Sequence, residues 1–402
     1  MATSVELFAG GGGMALGLHL AGFDHLRLVE WDERACDTLR LNATRPDPTI
    51  GQPPWAVERV ECGDVRKFAA ERAADYHGID LVAGGPPCQP FSLGGLHAGD
   101  NDERNMFPAA LDVVRACVPK MVVFENVPGL LRPSFKPYFD YVRDQLEAPS
   151  VVPRRGETWH DHWARVRRRG PGTDVRYRVA RQVILAADVG VGQSRRRVFL
   201  IGIREDLGVE WGELAGDHSE DALLYDKYVS GSYWEEHADD PVVRGIVRSG
   251  LPQAPSIVSR RIARLRDTGR PSDKRWRTVR DVLREPEPLP TPVDGEQRGQ
   301  WPNHVGVPGA RSYPGHTGSD IDAPAKTIKA GVHGVCGGEA MIRFSDGSLR
   351  YMTTREAARV QGFPDWYEFT GARSHAMRHI GNAVAVRVAQ AVGERLRTLT
   401  GV

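Results

Sequence analysis

Apolar and polar positions change their spacing along the 402-residue chain. Over the first 204 residues, short apolar runs alternate with stretches of helical spacing. VELFA (5–9) leads into GMALGLHLAG, and LRLVE (26–30) into DERACDTLRLN; IDLVAGG (79–85), MVVF (121–124) and VFLIGI (198–203) continue the series. Strand-length runs alternating with helix-length stretches predict a parallel sheet covered on both faces. The Arg-rich segment 148–176 breaks this rhythm and reads as a surface insertion. From 205 to about 345, Pro, Gly and Arg are dense and apolar periodicity is poor. That texture predicts a separate, loop-rich region with short strands at best. Helical spacing returns in TTREAARVQGF (353–363) and NAVAVRVAQAVGERLRTL (382–399).

Composition narrows the setting. A hydrophobic fraction of 41% supports a proper core, and no run of 18 apolar residues occurs. VELF follows the first residues directly, so no secretory signal is expected. The five cysteines, Cys36, Cys62, Cys88, Cys117 and Cys336, have no C-x-x-C spacing. This speaks against a disulfide framework or a metal site and for a reducing, cytoplasmic compartment. The net charge is +1, but arginine carries nearly all the positive charge. Arginine is the better fork for phosphates and guanine edges, and the codon bias of a GC-rich genome accounts for it equally well.

Four stretches carry candidate chemistry. In VELFAGGGGMALGLHLAGF a strand runs into glycines and a helix, and Gly10-x-Gly12-x-x-Ala15 fits a dinucleotide-type fingerprint. Glu30 ends the next strand, where an acid binds ribose hydroxyls. Trp31 offers a flat face for adenine, and Asp64 an acceptor for its amino group. In GGPPCQPFSLGG, Pro86 and Pro87 hold Cys88 in a rigid presentation ahead of a glycine-flanked flap, as expected of a nucleophile and its lid. The other four cysteines read as small buried apolar residues. In MVVFENV, Glu125 and Asn126 end an apolar strand. In GQSRRRVFLIGI, Arg195 and Arg197 share a face if extended, with Arg196 opposite. If that last strand is antiparallel to the others, its start lies at the same edge as Cys88 and Glu125.

Methylation of cytosine at C5 uses all these groups together. A thiolate added to C6 makes C5 nucleophilic, and a carboxyl group at N3 stabilises the developing charge. A base inside a duplex is out of reach, so it must be flipped into the pocket.

The ordered motifs resemble those of DNA (cytosine-5) methyltransferases of bacterial restriction–modification type, over residues 4 to about 395. They are Phe8-Ala9-Gly10, Glu30-Trp31, Asp64, Pro87-Cys88-Gln89, Glu125-Asn126-Val127, and Gln193, Arg195 and Arg197. Arg355-Glu356 with Gln361-Gly362-Phe363-Pro364, and Gly381-Asn382-Ala383-Val384, complete the series. The resemblance implies an α/β fold: a mixed, Rossmann-like S-adenosylmethionine-dependent methyltransferase sheet beside a smaller, loop-rich target-recognition domain. It implies a catalytic and cofactor-binding domain over 1–204, a recognition domain over 205–377, and a C-terminal helix over 378–402 returning to the large domain. Cys88 would attack C6, Glu125 would meet N3, and Arg195 and Arg197 would support the flipped cytidine. Phe8, Gly10, Gly12, Glu30, Trp31, Asp64, Pro86, Asn382 and Val384 would bind S-adenosylmethionine and its product S-adenosylhomocysteine. The implied partner is double-stranded DNA, with no membrane role and no metal. A cognate restriction endonuclease in the same system would form no stable complex with this monomeric, nucleoid-associated protein. Two departures stand out: Glu6 where Asp is usual, and Ala383 where Ser is common. The helix-like run with Arg260, Arg261 and Arg264 offers phosphate contacts. The aromatic residues of the insertion are expected to pack on the large domain. The alternatives are a tRNA cytosine-5 methyltransferase, against which the long recognition region argues, and a catalytically silent DNA-binding regulator, against which the intact Cys, Glu and Arg set argues.

Overall fold

The computed structural model describes residues 1–87, 105–168, 174–297, 299–314, 316–330 and 340–402. The first half runs β1 (Ala2–Leu7), α1 (Gly13–Leu20), β2 (Phe23–Glu30), α2 (Glu33–Asn42), β3 (Val60–Cys62), α3 (Val65–Glu71), β4 (Leu81–Gly84), α4 (Phe107–Cys117), β5 (Met121–Asn126), α5 (Lys136–Glu147), α6 (Trp159–Arg168), β6 (Tyr177–Leu185) and β7 (Arg196–Arg204). The seven strands form one sheet in the order β3-β2-β1-β4-β5-β7-β6. β1 to β5 pair in parallel, and β7 runs antiparallel to β5 and β6. The sheet is mixed, as expected, and the start of β7 lies at the carboxyl edge of its neighbours.

Period-two alternation sends neighbouring side chains to opposite faces. Met121 and Val123 of β5, with Phe199, Ile201 and Ile203 of β7, join one core cluster; Val122, Phe124, Val198 and Leu200 join the other. The first cluster is capped by α1 and the last helix, the second by α3, α4 and α5. Cys36 and Cys117 are buried as expected. Cys62 is exposed, because it ends β3 at the sheet's rim; Cys336 lies outside the described residues.

Beyond β7 the construction differs. Strands shrink to two or three residues: β8 (His218–Ser219), β9 (Lys274–Arg275), β10 (Ser319–Asp320), β11 (Met341–Arg343) and β12 (Leu349–Tyr351). Five helices accompany them, more than the apolar pattern predicts: α7 (Glu220–Tyr225), α8 (Ser232–Glu236), α9 (Pro241–Ser249), α10 (Ser259–Thr268) and α11 (Val279–Arg284). Side-chain caps start three of them, from Ser219, Asp240 and Thr278. One apolar cluster here is local, around Leu223, Tyr233, Trp234 and Val243, while Val279, Val282, Ile321 and Ile342 join a larger cluster shared with α1 and α2. Buried polar networks add to it. Asp322 accepts from Arg280 Nε at 2.6 Å, Tyr233 at 2.8 Å and Ser345 at 2.7 Å. Asp281 accepts from Arg275 at 2.6 Å and faces His237 Nε2 at 2.9 Å. On α10, Arg261 and Arg264 pair with Asp221, and Arg261 also with Glu220.

The chain then forms α12 (Thr354–Val360), α13 (Arg373–Asn382) and α14 (Val386–Thr400). α14 returns to the sheet and lies on α1. A Cβ on Gly17 would collide with the Val386 carbonyl and Ala389, so only glycine admits this approach. The insertion folds as α6 on α5. Tyr141 and His162 share a 2.7 Å hydrogen bond, and Trp163 donates to Asp144 at 2.6 Å. No described helix is long and apolar enough to cross a membrane.

Candidate active site

A cavity of about 860 Å³ opens at the carboxyl edge of the sheet, beside the start of β7. Phe8, Gly10, Glu30, Trp31, Asp64, Pro86, Glu125, Arg197, Asn382 and Val384 all stand on its wall. Cys88 lies outside the described residues. Its surroundings in sequence are placed: Gly85 lies so that a Cβ there would sit 3.3 Å from Glu125 Oε2, and the Pro86 carbonyl accepts from Asn126 Nδ2 at 2.8 Å.

Glu125 is the penultimate residue of β5 and pairs across the sheet with Phe199, two residues past Arg197. Arg197 Nε stands 2.8 Å from Glu125 Oε1, while the N–H points off the line of a hydrogen bond. Burial pushes the Glu125 carboxyl above the usual glutamate range, and the charges of Arg197 and Arg195 pull the other way.

Arg195 is placed otherwise than expected. Its side chain is buried and donates to the carbonyls of Ile328, Gly381 and Ala383, at 3.1, 2.9 and 2.9 Å. It is absent from the cavity wall and acts as a bracket behind it. Gln361 donates to the same Ala383 carbonyl, and Gln193 joins Gln361 Oε1 at 2.6 Å while accepting from Ile328 N–H at 3.1 Å. The segment at 325–328 is thereby tied to the stretch 381–384 that lines the cavity.

The other end of the cavity is built around the first two βα turns. Glu30 accepts from the backbone N–H groups of Gly10, Trp31 and Asp32, at 2.7, 2.9 and 2.8 Å. Burial raises its pKa, and these three donors oppose the shift. Trp31 is 69% exposed, so its face is free to stack. Asp64 caps α3 and is gripped by the Arg66 guanidinium, which holds its carboxyl below the usual range. Gly12, expected to touch the cofactor, is off the wall. It has φ +83°, and a Cβ there would collide with the hydroxyl of Tyr367, which donates to the Gly11 carbonyl at 3.0 Å. The fingerprint spacing does not separate a ligand-facing glycine from one that admits a packed tyrosine.

Among the wall residues given no site role from sequence are Glu6, Arg378 and His379. Glu6 is buried with Oε2 unpartnered, and burial pushes its pKa well up. His379 is buried with both ring nitrogens unpartnered; its Nε2 is 3.8 Å from Asp32 Oδ1, beyond hydrogen-bond range. Orphaned buried polar atoms on a concave wall call for a polar ligand. With the glycine turn, the Glu30 acceptor, the exposed Trp31 and the size of the cavity, they suit an extended nucleoside bearing an amino-acid tail.

The sequence profile of C-5 cytosine-specific DNA methylases matches residues 2–149 and 172–398. The chain belongs to this family. The type II methyltransferase M.NgoMIV of Neisseria gonorrhoeae is 31% identical over 399 residues, covering 98% of this chain and 96% of that one. The type II methyltransferase M.NaeI of Lentzea aerocolonigenes is 27% identical over 98% of this chain and 74% of its own length. The solved Dnmt2 methyltransferase of Schizosaccharomyces pombe, 16% identical, superposes with a TM-score of 0.56 over 99% of both chains. That likeness shows a shared fold. The methylase is thus an enzyme that methylates cytosine at C5 in DNA with S-adenosylmethionine as donor. The insertion carrying α6 falls in the gap between the two matched segments.

Proposed function

We propose that Cys88 is the nucleophile of this reaction and that Glu125 is its acid at N3. The observation that carries the reading is the Glu125–Arg197 pair: a buried carboxyl with a raised pKa, on the same wall as the glycine turn and Glu30. The Cys88 thiolate adds to C6 of a flipped cytosine while Glu125 donates a hydrogen bond or a proton to N3, so the ring's electrons concentrate at C5. The bound sulfonium donor supplies an electrophilic methyl group. After transfer, loss of the C5 proton expels the Cys88 sulfur and restores aromaticity. Arg197 fixes Glu125 and offers its remaining N–H groups to the flipped nucleotide.

Phe8, Gly10, Glu30, Trp31, Asp64, Pro86, Asn382 and Val384 would hold the donor, with Trp31 against adenine and Glu30 at the ribose. Residues 1–204 and 378–402 form the catalytic unit in this reading, and 205–377 meet the major groove of double-stranded DNA. The protein acts as a monomer in the bacterial cytoplasm, as the modification half of a restriction–modification pair, without a stable endonuclease complex. Labelled methyl transfer to plasmid DNA tests it. Cys88→Ala should abolish transfer and retain DNA and cofactor binding, and a 5-fluorocytosine duplex should trap a covalent adduct. Turnover by Cys88→Ala would end the proposal.

A further inference from the structure

Glu6 has no task in the reaction derived above, yet it stands on the cavity wall, in a strand of buried neighbours. It is 1% exposed, and its Oε2 atom is sealed without a hydrogen-bond partner. Burial disfavours its ionised form; the backbone N–H of Ala15 opposes this, and the charge of Glu30 adds to it. A buried carboxylate that lacks a cation is costly, and such a group takes up a proton instead. The titratable groups that face it are Glu30 on β2 and Tyr367, whose hydroxyl is spent on the Gly11 carbonyl. On the same wall α13 adds Arg378 and His379, and β5 and β7 add Glu125 and Arg197. β4 and the first six residues of α1 bring none.

The strand register fixes what Glu6 lies beneath. Glu6 pairs with Leu28 of β2 and with Ala83 of β4, and Ala83 pairs with Val123 of β5. Glu30 and Glu125 stand two residues beyond Leu28 and Val123, so all three acids share one face of the sheet. Glu30 is one strand from Glu6 on one side, and Glu125 is two strands away on the other. At the usual strand spacing the three span roughly 14 Å across the sheet. A donor with its ribose at Glu30 and its methyl group towards Glu125 therefore crosses β1, with Glu6 in the floor beneath. The positive charge of such a donor lies in its amino-acid tail and sulfonium, between those two ends.

We propose that Glu6 is the counter-ion of the donor's amino-acid tail, and that it trades a proton for the tail's ammonium group. The proposal rests on the reading of this cavity as the donor site. With the cavity empty, the Glu6 carboxyl group holds a proton. The arriving ammonium replaces that proton as its partner, through a charge-assisted hydrogen bond, and the proton leaves to solvent. The O–H bond is the only bond broken, and charge balances: one cation enters and one proton departs. Linkage then sets the sign of the pH dependence. A protonated empty site competes with the ligand, so affinity rises with pH until Glu6 is already ionised in the empty cavity.

Calorimetric titration of the full chain tests the exchange with two probes. S-adenosylhomocysteine carries the tail; methylthioadenosine keeps the nucleoside and lacks it. Titrations between about pH 5.5 and about pH 7.5, in buffers of different ionisation enthalpy, count the protons released. S-adenosylhomocysteine should release up to one proton more than methylthioadenosine, whose binding reports any proton that Glu30 loses at the ribose. That excess should shrink as pH rises, while Kd for S-adenosylhomocysteine falls. Glu6→Gln keeps the shape and cannot ionise. It should remove the excess release and weaken S-adenosylhomocysteine about 10–100-fold near pH 7.5. It should leave methylthioadenosine within about twofold, which also shows that the variant is folded. Equal proton release by the two probes in the wild type overturns the exchange. So does a Glu6→Gln chain that binds S-adenosylhomocysteine as tightly as the wild type, or one that loses both probes alike, which would make Glu6 a packing group. Binding of neither probe by the wild type strikes at the donor-site reading itself, and the proposal falls with it.

Discussion

The sheet and the region that follows it are stabilised by different physics. Between β1 and β7, long strands bury alternate apolar side chains under helices, and Val5, Leu81, Val122, Leu200 and Ile201 are fully shielded. Between β8 and β12 the strands are short, and charged side chains share the interior with apolar ones such as Val279, Ile321 and Ile342: Arg280, Asp281, Asp322 and His237 are all buried. Apolar burial is non-directional and forgiving of detail. A buried ion pair must be complete, because removing one member leaves an uncompensated charge.

The largest effect should come from breaking the ionic side. Arg280→Met strands Asp322 and Asp240 and should cost about 3–5 kcal/mol in denaturant unfolding, whereas the double change Arg280→Met with Asp322→Leu should recover most of it. If the single variant is as stable as the wild type, the network does not support this region. On the sheet side, Glu125→Gln keeps the shape but removes the acid. It should lower kcat about 10²–10³-fold with little change in the affinity for S-adenosylhomocysteine. An equal fall in cofactor affinity would place Glu125 in binding instead.

A smaller effect tests the apolar side through pH. His25 of β2 lies wholly buried between Ser4 and the Ala15 carbonyl, and burial lowers its pKa to about 4. The unfolded chain takes up a proton near pH 6.5 that the folded chain refuses, so stability falls as pH drops from about 6.5 to about 4. Between pH 7 and pH 5 this amounts to about 2 kcal/mol. Comparison of urea midpoints at the two values should show the loss, and His25→Asn should flatten it. The smallest effect belongs to the surface. Arg264 is more than half exposed, and breaking its pair with Asp221 by Arg264→Ala should shift stability by less than about 1 kcal/mol.

Legibility followed the same divide. Apolar runs announced β1, β2, β4, β5 and β7, and the antiparallel placement of β7 brought Arg197 to Glu125 as the edge argument required. The five helices α7 to α11 were mostly hidden, since they are only 5 to 10 residues long and so repeat an apolar spacing for no more than a turn or two. Arg195 was misassigned because its acceptors are backbone carbonyls 133 to 188 positions away, which no local pattern displays. His379 went unseen for a related reason. α13 reads as an ordinary polar helix until the fold sets it against Gly11 and Asp32. The spacing Arg378-His379-x-x-Asn382 beside a known wall residue was the one available hint.

The bracket formed by Arg195, Gln193 and Gln361 has an energetic corollary. A shift at Ile328 that lengthens one of its hydrogen bonds is shared with the main chain of Gly381 and Ala383 on the cavity wall. Thermodynamic reciprocity makes such sharing mutual: a duplex that tightens the donor's grip by some factor must itself be gripped more firmly by the same factor once the donor is seated.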